Sequence, residues 1–400
     1  MERIKSFCQP KTLASLLATL FIFSVMAHPQ TITVLHSFTN GADGSSPYAG
    51  VTLDRAGNLY GTTTGGANGN VGTVYKMTHA RGGWILYTIY TFDHADDPGF
   101  ASARVVLGRD GTLYGTGYYG GTSNKGAIFN LRPPATVCKS VSCPWTLTLL
   151  HSFIGIDGQG PYFGDLIFDA AGNIYGTTSG GGAFGQGTVF KLSRSGNSWT
   201  HTVLYNFTGG NDGASPENGV ALDSAGNLYG TATYGAFEAY GTVYMLSPSG
   251  VETTLHQFSG GFDGGNPMGS VAVDNQGNLY GTTHVGGTGG AGTVWQLTPS
   301  GLTFTTLYTF SGYEGPFDTP TLDAAGNVYG TSSFTPGDGA GEVFKLTPSG
   351  GGWSYTSYAF GGNNGYVPIG GVTLDASGNL YGTTAAGGAY GWGNVWEITP

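Results

Sequence analysis

Charge is scarce in this chain. Of its 400 residues only 10% are Asp, Glu, Lys or Arg, with 14 Lys and Arg against 24 Asp and Glu. No basic run is present to neutralise phosphates, which excludes a nucleic-acid binder of the usual kind. Cysteine is rarer still, at three residues, and the two that lie outside the N-terminal segment cannot alone make a zinc site. Long apolar runs are also lacking: residues 13–25 form one, and a bilayer span needs about 20 apolar residues. Two residue classes are abundant instead, glycine (74) and aromatics (24 Tyr, 22 Phe, 7 Trp). Low charge with many aromatics opposes the composition of a disordered chain. Glycine costs about 1 kcal/mol per helix position relative to Ala, so the composition tells against a helical protein and assigns the glycines to tight turns.

The N-terminus reads as a targeting segment. Arg3, Lys5 and Lys11 precede the uncharged run at residues 13–25, and Val25-Met26-Ala27 offers small residues where signal peptidase reads them. Residues 1–27 are therefore expected to be a secretory signal cleaved near Ala27, leaving residues 28–400 as one secreted domain, extracellular or periplasmic. The chain ends at Pro400 with no hydrophobic tail, so no transmembrane anchor is expected in the mature chain. Taking Arg3, Lys5, Lys11 and Glu2 out of the totals leaves a net charge of −12, which suits a soluble acidic surface. Cys8 belongs to the signal. Cys138 and Cys143 are separated by four residues, and export makes a local disulfide plausible, with two free thiols as the alternative.

Internal repetition governs the rest of the reading. Gly57-Asn58-Leu59-Tyr60-Gly61-Thr62-Thr63 recurs in variants around Tyr114, Tyr175, Tyr229, Tyr280, Tyr329 and Tyr381, at steps of 49 to 61 residues. Each repeat holds four short runs rich in Val, Thr, Tyr and Phe: residues 33–38, 50–54, 58–63 and 72–77 in the first copy. Gly, Asp, Asn and Pro bound them, as strands require. Seven repeats of four strands predict an all-β, seven-bladed β-propeller of four-stranded antiparallel blades. If the second-type run is innermost, each blade takes its outer strand from the next repeat. The last blade then lacks one, and residues 31–38 should supply it by pairing with residues 393–398, closing the ring. The second repeat is longer by seven residues that include Cys138 and Cys143, which predicts a protruding loop on the short-turn face.

Asp54-Arg55-Ala56-Gly57-Asn58 and its parallels read as turns in which Asp bonds backbone amides and Gly takes positive φ. A calcium loop is the alternative, but it would have few oxygen ligands. The tyrosine of Tyr-Gly-Thr is expected to be interior, since a blade packs against neighbours on both faces. Together, Gly-Asn-Leu-Tyr-Gly-Thr-Thr, Gly-Thr-Val-Tyr/Phe-Lys-Leu-Thr-Pro-Ser-Gly and Gly-x-Asp-Gly-x-x-Pro resemble the repeat of the bacterial choice-of-anchor tandem repeat GloVer-containing proteins. The resemblance covers residues 31–399 and implies an exported bacterial repeat protein, with no activity attached. The strand, Asp-x-x-Gly-Asn turn and strand are more loosely similar to NHL-type and strictosidine-synthase-like propellers.

Strand direction places the two long connections of every repeat on one face, and function on such scaffolds sits on loops. Asp43, Asp157, Asp212 and Asp263, each followed by Gly, are candidates there. They could form a ring of carboxylates at the channel mouth, or could serve turn chemistry. Tyr48, Tyr162 and Tyr366 could stack on sugar rings or could anchor their loops. Tyr118 and His284 stand where other repeats carry a small residue, and Glu217, Glu238 and Trp392 are further single departures. No serine elbow, zinc-type His pair or phosphate loop is seen, so no catalytic residue, metal ligand or cofactor is expected. The expected function is a monomeric secreted binding or scaffold module for an extracellular glycan or protein. A polysaccharide hydrolase or lyase is the alternative, although no carboxylate pair stands out.

Overall fold

A computed structural model describes residues 31–399 apart from 68–70, 94–95, 135–144, 197, 237, 313–314 and 334–338. Residues 1–27, where a signal is expected, and Cys138 and Cys143, where a protruding disulfide-closed loop is expected, lie outside the described residues. Among the described residues no helix is long and apolar enough to cross a membrane.

Seven four-stranded antiparallel sheets form the ring of a β-propeller. The first blade runs from the axis outward as Thr52–Leu53, Leu59–Thr63, Thr73–Ala80 and Gly83–Thr91. The outermost strand of each blade is the first-type run of the next repeat, as the sequence predicts. The seventh blade comprises Thr373–Leu374, Leu380–Thr384 and Asn394–Ile398, and its outer strand is Ile32–Ser37 from the start of the chain. That strand lies antiparallel to Asn394–Ile398, with Ile32 opposite Ile398 and Ser37 opposite Asn394. Closure removes the sheet edges that an open ring would leave unpaired. It also completes a core of the same kind as at every other blade interface: Phe38, Val51, Leu59, Tyr75 and Met77 pack with Tyr381 and Val395.

The repeat motif has two structural causes. The first is the glycine of Tyr-Gly, which lies directly opposite the aromatic of the fourth-type run, as Gly61 opposes Tyr75 and Gly382 opposes Trp396. A Cβ on Gly382 would fall 2.3 Å from the Trp396 ring, so only glycine leaves room for the aromatic that fills the blade interface. The second is the turn. Asp54 accepts from the Ala56 and Asn58 amides at 2.8 and 2.9 Å, from the Asn58 side chain at 2.8 Å and from the Tyr60 hydroxyl at 3.1 Å. Its oxygens are thus taken up inside the turn. The same tyrosine-to-aspartate bond recurs in five other repeats, and in the second Tyr114 reaches Asp110, two positions later in its turn, so the polar end of this tyrosine is satisfied.

The innermost strands are shorter than the sequence suggests, pairing two residues each. Upstream of them the backbone leaves the sheet and converges on the axis. There Gly50 approaches the Gly371 carbonyl so closely that a Cβ would lie 2.4 Å from its oxygen.

Candidate functional site

The two sets of long loops are zipped together over one face. Ser45 bridges Gly65, Gly99 bridges Tyr119, and Ala214 bridges Tyr234 within their blades. Ser46 N–H reaches the Trp392 carbonyl of the preceding blade, and Asn266 N–H that of Tyr240. Backbone bonding of this density makes the face a preformed surface rather than a set of loose loops.

The four candidate aspartates are spread around the periphery of that face. Asp43 accepts from the Thr39 amide and hydroxyl at 2.9 and 2.5 Å and bonds His36 at 3.1 Å. Asp157 bonds the Ile154 amide and His151, each at 2.8 Å. Asp212 takes the Thr208 amide and hydroxyl and the Tyr205 hydroxyl at 3.0 Å. Asp263 repeats the pattern with Ser259 and His256. His36, His151, Tyr205 and His256 all belong to outer strands. Each carboxylate therefore ties its loop to the outer edge of the preceding blade, away from the axis. In the second repeat Asp97, the second member of Asp96-Asp97, holds the Tyr90 hydroxyl in the same way.

At the axis the blades meet through Arg104, Asp165 and Asp318. The Arg104 amide and Nε donate to Asp165 at 2.9 and 2.6 Å. Asp318 accepts from the Thr319 amide at 2.6 Å and from the Gly371 amide. Burial drives the Asp318 carboxyl above the usual carboxylate range, against the pull of Arg104 and with the repulsion of Asp165. Arg104 stands where the first, fourth and seventh repeats carry Gly50, Gly219 and Gly371, and Asp165 does the same in the third repeat. The cavity that these residues line with Tyr48, Phe163, Phe317 and Ile369 is about 10 Å³, room for about one water.

Tyr48, Tyr118 and Tyr162 come together beside this plug. Phe100 is their hub, 5.8 Å from Tyr48, 6.4 Å from Tyr118 and stacked on Tyr162 at 6.3 Å. Tyr118 lies 5.0 Å from Tyr162 and 4.6 Å from Tyr119. Phe100 adopts φ 53°, at a place where other repeats use Ser46, Ser215, Asn266 or Val367 in the same conformation. A bulky side chain in the left-handed region stores backbone strain of order 1–2 kcal/mol, which Phe100 shares with Val367. His284 stands apart from the cluster, packed on Phe317 at 4.2 Å.

Glu217 faces the cluster from the fourth repeat. Its backbone carbonyl accepts the Phe163 amide at 2.9 Å. Its Oε2 is shielded from solvent and makes no hydrogen bond among the described residues. Burial pushes this carboxyl up to about 7. Burial first, and then the Glu217 charge, push Tyr162 to about 12. Burial and then Glu217 also raise Tyr234, and Glu217 acts on Tyr118 after burial and Tyr119. The sequence marks Glu217 as a departure from its repeat but gives no hint of its partners. Arg104 and Asp165 break the repeat in the sequence, but that they meet each other and Asp318 at the axis, and that Phe100 gathers tyrosines of three repeats, follows only from the ring.

The solvent-exposed large apolar side chains favour the same face. Tyr119, Phe184, Tyr234, Phe262, Tyr390 and Trp392 are all on long loops and 43–79% exposed. The Asp-x-x-Gly-Asn turns of the opposite face border shallow clefts, as between Asp54 and Arg109, with a volume of about 820 Å³.

No curated protein sequence matches this chain. Among solved structures, a Thermus thermophilus protein provisionally assigned as an oxidoreductase (glucose dehydrogenase) aligns over 92% of this chain and 99% of its own. The identity is 14% and the TM-score 0.40, too distant to speak to chemistry here. The model of the Gloeobacter/Verrucomicrobia repeat matches residues 19–144 and 134–321, most of the chain. With its seven copies of one motif built into seven blades, the chain belongs to the Gloeobacter/Verrucomicrobia repeat family.

Proposed function

We propose that this propeller is a secreted binding module that recognises an extracellular polysaccharide through its long-loop face. The site is the cluster of Tyr48, Phe100, Tyr118, Tyr119 and Tyr162 with Glu217 and Tyr234. One observation carries this reading: a continuous aromatic cluster, with Tyr119 52% exposed, borders a carboxyl whose Oε2 has no partner among the described residues, and Tyr234, 44% exposed, feels the same carboxyl. Aromatic faces stack on the apolar faces of sugar rings, and the half-buried Glu217 side chain sets an acceptor group beside them. The near-filled axial cavity supports surface binding over a substrate drawn into the channel.

Calorimetric titration of the purified chain against a panel of soluble polysaccharides tests the proposal. Binding without release of reducing ends is expected. Tyr119→Ala and Tyr234→Ala should each weaken it roughly tenfold, the equivalent of about 1.4 kcal/mol. Absence of binding across the panel, or binding indifferent to both substitutions, refutes it.

A further inference from the structure

His151, Asp157 and His201 lie at the outer edge of the ring, where the second and third blades meet. His151 is on the outer strand Thr146–Ser152 and His201 on the outer strand Ser198–Asn206, while Asp157 is in the loop that follows the first. One ligand atom from each of the three falls within 4.8 Å of the others. We propose that these three side chains form a binding site for a divalent late first-row transition metal, with zinc as the representative ion.

The repeat itself supplies the argument. Three blade junctions carry a histidine bonded to the loop aspartate: His36 with Asp43, His151 with Asp157 and His256 with Asp263. The residue packed against that pair comes from the next outer strand. Register places it opposite Met77, Leu192 and Leu297, which makes it Leu86, His201 and Phe304 in turn. Phe304 stacks on His256 at 4.0 Å, and His201 stacks on His151 at the same distance. A phenyl or leucyl group is sufficient for packing here. The second imidazole brings instead a ring nitrogen: His201 Nε2 is shielded from water and makes no hydrogen bond among the described residues. A buried polar atom without a partner costs about 1–3 kcal/mol, and metal ligation would use it.

The donor set selects the ion. Two imidazoles and one carboxylate suit zinc, copper or nickel, whereas calcium and magnesium require oxygen ligands. Three protein ligands with His151 and Asp157 still 20% and 19% exposed leave a side open for water as a fourth ligand. Asp157 is oriented by the Ile154 amide, which holds Oδ1 at 2.8 Å and leaves Oδ2 facing His151. Phe153 packs edge-on against both imidazoles, at 4.9 and 5.5 Å, and forms an apolar floor. The two rings lie parallel, with an interplanar angle of 4°, so a shared ion requires one ring to turn until the in-plane lone pairs converge. The terminal torsion of histidine is soft enough to permit that turn. The ion would then replace the hydrogen bond between His151 and Asp157 and clasp two neighbouring blades.

The test is titration of the full chain, stripped with a chelator, with zinc against a competing chromophoric chelator. Thermal melts with and without zinc accompany it, together with the visible spectrum of the cobalt-loaded chain. One zinc per chain, a higher melting temperature with zinc and a four-coordinate cobalt spectrum are expected. His201→Phe, which restores the Phe304 arrangement, should abolish all three. His201→Leu, which copies the residue type of Leu86, is the second variant should the first not fold. Asp157→Asn should weaken zinc at least tenfold, and His256→Phe should leave binding unchanged. Unchanged zinc stoichiometry and affinity in a folded His201 variant overturns the assignment, as does a full chain that takes up no zinc at millimolar concentration.

Discussion

Replacing Glu217 by Gln should make the protein more stable at neutral and alkaline pH. Its carboxyl titrates near 7 rather than 4.5 because burial disfavours the charged form. Between these two values the folded state holds a proton that the unfolded state has released, so wild-type stability falls as pH rises through this window and the loss is complete above it. A shift of 2.5 units at about 1.36 kcal/mol each gives roughly 3.4 kcal/mol. Residual solvent access at this half-buried side chain lowers that to about 2–3 kcal/mol. The Gln variant has no charge to bury and escapes the penalty, while every other titrating group is common to both proteins. With an unfolding entropy of about 2.1 cal/mol/K per residue, the melting temperature of the variant should exceed that of wild type by about 3 °C at pH 8. The two should converge near pH 4. Paired thermal and urea unfolding curves from pH 4 to 8 provide the assay. A variant less stable at pH 8, or a difference of the same size at pH 4 as at pH 8, refutes the reasoning. The same substitution should weaken polysaccharide binding, because a carboxyl kept buried against its own solvation cost is the kind of feature that function retains.

Three further outcomes are expected. Phe38→Ala removes a fully buried ring from the interface between the first and last blades and should cost about 3–5 kcal/mol in equilibrium unfolding; a loss below about 1 kcal/mol would show that the clasp contributes little. Arg104→Met should cost about 2–3 kcal/mol, because it leaves Asp165 and Asp318 facing each other without their cation, and the loss should shrink as pH falls and the carboxyls protonate; a loss independent of pH contradicts this. Gly281→Ala would place a Cβ 2.2 Å from the Trp295 ring and should destabilise by about 1–3 kcal/mol with a changed tryptophan emission, whereas an unchanged spectrum and midpoint would mean that the ring moves freely.

The blade plan was legible in the sequence because the physics that sets it is local. The spacing of Tyr-Gly, the Asp-x-x-Gly-Asn turn and alternating apolar runs follow from strand pairing within some fifty residues, and copying them seven times leaves few closed arrangements. Even ring closure could be counted out, since residues 31–38 had no other blade to join. The candidate site was less legible. Asp43, Asp157, Asp212 and Asp263 repeat with the motif, and their hydrogen bonds serve the repeat's own loops. Glu217, Tyr118 and His284 stood out by breaking the repeat, but decisive neighbours, Phe163 for Glu217, Tyr162 for Tyr118 and Phe317 for His284, come from other repeats.

The sequence alone determined the fold class and the number of blades, because hydrogen bonding between adjacent runs and the fit of glycine to aromatic are settled within or between consecutive repeats, and the closing strand followed as the one run left without a blade. Tertiary structure alone decided what the ring brings to its axis and to its outer edge. Arg104, Asp165 and Asp318 meet across the axis, and Phe100 gathers tyrosines from three repeats beside Glu217. His201 reaches the His151 and Asp157 pair across a blade junction. Each of these contacts depends on the circular order of the blades, which brings residues far apart in the chain within a few ångströms of one another.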